Sequence, residues 1–125
     1  MKNEIVLSPL GHTWIFDLDG TVVKHNGYKE DGADTLLDGA VDFFRSLPDD
    51  DLIVFITSRS DKVKEETEGF LKKNGIRFDH IIYNAPYGER ILVNDEKPSG
   101  LKTAVAIGTG RDKWCGLNYV INEDL

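Results

Sequence analysis

The chain has 125 residues, a length that suits one domain, residues 1–125, with its own core. It is 40% hydrophobic and 30% charged, as in an ordinary globular protein, and its net charge of −7 argues against nonspecific nucleic-acid binding. No long apolar stretch near the amino terminus predicts a signal peptide or membrane span, and a single cysteine, Cys115, makes no internal disulfide, so the expectation is a cytoplasmic protein with no membrane partner.

The predicted elements follow in chain order. Residues 5–7 read as a short lead-in strand before Pro9 and Gly11, and residues 13–16 as the first core strand. Residues 22–29 read as a small hairpin about Asn26-Gly27, a type I′ turn signal, with a plain solvent loop as the equal alternative. Leu36, Leu37, Ala40, Val41, Phe44 and Leu47 recur at helical spacing, with Asp34 or Thr35 as cap and Pro48 beyond the end. Asp49-Asp50-Asp51 reads as a solvated turn. The apolar run of residues 52–56 predicts a central parallel strand. Val63, Thr67, Phe70 and Leu71 line a second helix, capped by Ser60 or Asp61 and ended by Gly75. Residues 78–83 and 90–93 predict a third and fourth strand; residues 103–107 predict a fifth, or a helix. Trp14 reads as core, Trp114 as core or an assembly contact, and Cys115 as a buried thiol. Strands alternating with helices predict a doubly wound α/β sheet.

Asp17-Leu18-Asp19-Gly20-Thr21 is the most informative stretch. Two carboxylates at i and i+2 at a strand end point the same way, and their mutual repulsion calls for a cation or a shared proton. A hard, oxygen-liganded metal such as magnesium suits them, as does a nucleophile beside a general acid/base. A calcium loop is disfavoured, because Val22, Val23 and Lys24 follow where further oxygen ligands belong. A strand-ending turn is the bland alternative.

Ile15-Phe16-Asp17-Leu18-Asp19-Gly20-Thr21 resembles the first motif of the haloacid dehalogenase superfamily. The resemblance implies a Rossmann-like parallel sheet of strand order 5-4-1-2-3, here with no cap domain. It also implies a magnesium-dependent phosphatase, a phosphomonoester hydrolase working through an aspartyl-phosphate. On it, Asp17 is the expected nucleophile and Asp19 the acid/base. Thr57, in Thr57-Ser58-Arg59 after the second core strand, matches the second motif and is expected to hold a phosphate oxygen, with Ser58 and Arg59 beside the substrate. Asn94-Asp95-Glu96 stands where a fourth motif supplies a metal ligand, so Asp17, Asp19, Asp95 and Asn94 are the expected magnesium ligands, the choice between Asn94 and Asp95 being open. The third motif's cation is displaced: Arg90 starts its strand at the wrong end, which leaves Lys97 as the preferred substitute, catalytic and substrate-binding, and Lys102 as second choice. The expected partner is a small phosphorylated substrate, a sugar phosphate or related metabolite, with a homo-oligomer possible because the site lacks a cap. The rival is a noncatalytic protein of that fold that binds a phosphorylated ligand or protein partner.

Overall fold

The structure, a computed structural model, describes residues 3–125. Its strands are β1 (Asn3–Leu7), β2 (Thr13–Asp17), β3 (Leu52–Ile56), β4 (His80–Ile82) and β5 (Leu117–Ile121). Its helices are the single turn α1 (Gly27–Glu30), α2 (Ala40–Ser46) and α3 (Lys64–Lys73), the last led in by a 3₁₀ turn at Asp61–Val63.

Alternation along β2 and β3 builds the core. Trp14 and Phe16 point inward on β2 and Ile53 and Phe55 on β3, in a parallel register that sets Phe16 beside Phe55 and Phe55 beside Ile81 of β4. Phe43 and Phe44 of α2 cover that face, with Phe44 4.6 Å from Phe16 and Phe43 5.5 Å from Trp14 between ring centroids. Trp114 and Tyr119 extend the aromatic cluster, Trp114 lying 5.2 Å from Phe43 and Tyr119 5.4 Å from Trp14. Each such pair contributes about 0.5–1.5 kcal/mol beyond its buried area.

α3 ends as its sequence dictates. Gly75 takes φ +73, its N–H donates to the Lys72 carbonyl, and the Ile76 N–H donates to the Leu71 carbonyl. That is a Schellman motif, and Leu71 and Ile76 bury together as its hydrophobic contact. The amino ends of the strands are tied by a buried acid: Asp51 accepts from Trp14 Nε1 at 2.9 Å and from the His12 N–H at 3.1 Å. Asp51 is therefore a core fastener and not part of a solvated turn.

The expected single sheet is corrected. Two separate parallel sheets form, β1-β5 and β2-β3-β4. The lead-in strand pairs with β5, a strand absent from the sequence reading, in a register running from Asn3 beside Leu117 to Leu7 beside Ile121. Residues 90–93 and 103–107 join no ladder, and Val93 is 89% exposed. Local bonds explain this. Arg90 is drawn to Asp17, Asn94 donates to the Thr103 carbonyl, the Thr103 hydroxyl donates to the Asp95 carbonyl, and the backbone turns between Lys97 and Leu101. These bonds turn the chain back on itself between Asn94 and Thr103, away from the ladder of β2, β3 and β4. The expected hairpin is also replaced: Asn26 adopts φ 56 and opens α1.

One consequence is an uncovered sheet face. Ile15 is 49% and Ile82 51% exposed, whereas parallel sheets are ordinarily buried on both faces.

Candidate functional site

The chain turns sharply after β2. The Leu18 carbonyl accepts from the N–H groups of Val22 and Val23, Gly20 takes φ +82, and Leu18 itself is buried. Asp17 and Asp19 are thereby held on either side of an apolar anchor at the carboxyl edge of the sheet, the region where open parallel sheets bind ligands.

The two carboxylates meet guanidinium groups. Asp17 accepts from Arg90 Nη1 at 2.7 Å and from the Thr21 hydroxyl at 3.0 Å. Asp19 accepts from Arg59 Nε at 3.0 Å and Nη2 at 2.8 Å, with both of its oxygens used. The same Arg59 reaches Asp34 at 2.7 and 3.0 Å and the Thr67 hydroxyl at 3.0 Å. All five of its N–H donors are thus engaged. Its side chain is 2% exposed, and the Tyr28 ring centroid lies 4.0 Å from Cζ. Burial alone would lower the Arg59 pKa; the hydrogen bonds it donates to Asp19 and Asp34 outweigh that and hold the group above its ordinary value. Arg59 is a permanent cation that locks three segments of chain together.

Of the residues expected at the site, the structure gathers Asp17, Asp19, Thr57, Ser58 and Arg59 at the carboxyl edge. Thr57 is buried, its hydroxyl accepting from the Arg59 N–H at 3.0 Å and its backbone bonded to Ile82 and Ala85. Asn94, Asp95 and Lys97 lie instead on the exposed loop, where Asn94 Oδ1 accepts from the Asp95 N–H and the Lys97 N–H donates to the Leu101 carbonyl. None of these three bonds to Asp17 or Asp19; the cation on Asp17 is Arg90.

The four expected magnesium ligands do not converge: Asp17 and Asp19 meet guanidinium groups, and Asn94 and Asp95 lie on the exposed loop. Both aspartates face N–H donors, and among the described residues no three Asp, Glu, His or Cys side chains converge to hold a metal ion. Nor is a catalytic aspartate pair assembled: an acid/base must exchange a proton with substrate, and both Asp19 oxygens are bound to a buried guanidinium.

A groove of about 630 Å³ opens beyond the ends of β3 and β4. Ser58, Ser60, Lys62 and Asn84 give it polar walls, Tyr28 and Tyr87 flank it, and Lys29 completes its cationic rim. No Asp or Glu lines it. Neither Lys29 nor Lys62 forms an ion pair with any described residue. A smaller hollow of about 340 Å³ shares Tyr28, Arg59 and Lys62 with it and adds Asp34 and Glu66.

No family model matches the chain, and neither a curated protein nor a solved structure is similar to it. With two separate sheets in place of the single 5-4-1-2-3 sheet, the haloacid dehalogenase resemblance is corrected to a local likeness around Asp17 and Asp19. The phosphatase reading and its noncatalytic rival of that fold fall with it. Sequence reasoning missed Asp34, Tyr28, Lys62 and Tyr87. Tyr28-Lys29 directly after Asn26-Gly27 was the available signal, since an aromatic beside a cation at a turn offers a ligand both a face and a charge.

Proposed function

We propose that the chain is a binding protein for a small anionic molecule held in the groove beyond β3 and β4. The observation that carries this reading is the charge of the groove: two lysines outside any ion pair and no carboxylate, in a chain of net charge −7. The net charge repels an approaching anion, and the lysines of this groove offset that field locally. Ser58, Ser60 and Asn84 supply hydroxyl and amide donors beside the lysines. Phosphate is the favoured anion, because its roughly two negative charges match the two lysine point charges and its oxygens accept from the hydroxyl and amide donors beside them. Magnesium would reach Asp17 only in competition with Arg90. Isothermal titration calorimetry with inorganic phosphate at low ionic strength tests the reading. Binding is expected, weakened several-fold by Lys62→Ala or Lys29→Ala, further by both, and by added salt. Absence of binding, or binding that both substitutions leave unchanged, would overturn it.

A further inference from the structure

Tyr87 stands on the groove wall with 92% of its surface exposed, beside Ala85 and Pro86. Its position is set from the sheet. The Asn84 N–H donates to the Arg59 carbonyl at 2.8 Å, the Ala85 N–H donates to the Thr57 carbonyl at 3.0 Å, and Asn84 adopts φ 61, a left-handed conformation that asparagine tolerates better than most residues. The ring thus follows, two residues on, from backbone bonded to the end of β3. Tyr28, by contrast, already has a cation over its ring. The groove, about 630 Å³ and open to solvent, exceeds what a bare phosphate fills. An exposed aromatic face near two lysines matches a ligand with a flat apolar part and an anionic end.

We infer that the ligand is a phosphate monoester bearing a planar ring, of the mononucleotide or aryl phosphate class, with the ring on Tyr87 and the phosphate between Lys62 and Lys29. The inference rests on the anion-binding reading of the same groove. Calorimetry on the full chain with adenosine 5′-monophosphate, phenyl phosphate, ribose 5-phosphate and adenosine tests it. Adenosine 5′-monophosphate and phenyl phosphate are each expected to bind about tenfold more tightly than ribose 5-phosphate. Tyr87→Ala removes that advantage and leaves ribose 5-phosphate unchanged, Tyr87→Phe retains it, and Lys62→Ala weakens every phosphate several-fold. Equal binding of ring-bearing and ringless phosphates, unmoved by Tyr87→Ala, would overturn the ring assignment while the anion site stood. Adenosine binding as tightly as its monophosphate, or no binding by any phosphate, would overturn the anion reading and the inference with it. Since Tyr87 is exposed, its substitution leaves the fold intact, and a thermal melt matching wild type is the check on that.

Discussion

At the scale of single residues, Arg59 is the organising group. Its guanidinium sits between Asp19 and Asp34 with all donors used, so removing it leaves two carboxylates facing each other in a largely buried place. Arg59→Ala is expected to cost about 3–5 kcal/mol, the usual consequence of breaking a buried pair from one side. Asp34→Ala is expected to cost less, because Asp19 still neutralises the guanidinium. Urea denaturation of both variants checks the order, and equal losses would contradict it. The Asp17–Arg90 pair lies on the surface, so Arg90→Ala is expected to change stability by only about 0–1 kcal/mol. Tyr83 behaves differently with pH. Burial first, and then its hydrogen bond to Glu68 at 2.9 Å, raises its pKa above the ordinary 10.0; burial raises Tyr119 as well. A group whose folded pKa is raised contributes stability that is complete below its unfolded value and is lost as pH climbs through the folded one. Stability is therefore expected to fall above about pH 10 as each phenol ionises in the unfolded chain first, and Tyr83→Phe is expected to flatten that fall in melts taken from pH 9 to 11.

Among the elements, those dominated by local pattern were legible in the sequence. The Trp14 and Phe16 alternation, the apolar run of β3 and the Gly75 stop of α3 stand where the residues point, whereas Ser60 caps the 3₁₀ turn that leads in and α3 itself starts after Val63. Elements decided by distant or side-chain partners were not. β5 needs β1, more than a hundred residues away, and carries too weak an alternation to announce itself. Residues 90–93 look like a strand by composition, yet they stand exposed outside either sheet, with Arg90 drawn to Asp17 and Asn94 to Thr103 at their two ends. Of the groove, the sequence pointed to Ser58 and Arg59, while Asp17 and Asp19 lie outside it and their chemistry was not legible, because the pattern of two aspartates does not reveal which cation meets them. The start of α2 shows how one contact shifts a boundary. Gly39 has φ +91, and a Cβ there would stand 3.2 Å from Trp114 Cδ1, so helical geometry begins at Ala40 and not at Leu36. Gly39→Ala is expected to destabilise the protein by about 1–3 kcal/mol through both backbone strain and overpacking, measurable by chemical denaturation.

At the scale of the whole molecule, one sheet face is packed with aromatic rings and the other shows Ile15, Leu52 and Ile82 to solvent. An exposed apolar patch of this kind favours association. Ile15→Glu with Ile82→Glu is expected to lower binding of a hydrophobic dye and any concentration-dependent assembly seen by light scattering, with little loss of stability. Distribution of charge is the other whole-molecule feature: an acidic chain reserves a carboxylate-free groove with two lysines for the carboxyl edge. The central claim is that an anion binds in that groove, and the most direct measurement is an amide nuclear magnetic resonance titration with inorganic phosphate. Saturable shifts are expected at Ser58, Ser60, Lys62 and Asn84, abolished by Lys29→Ala with Lys62→Ala. Shifts centred elsewhere, or none at all, would contradict it.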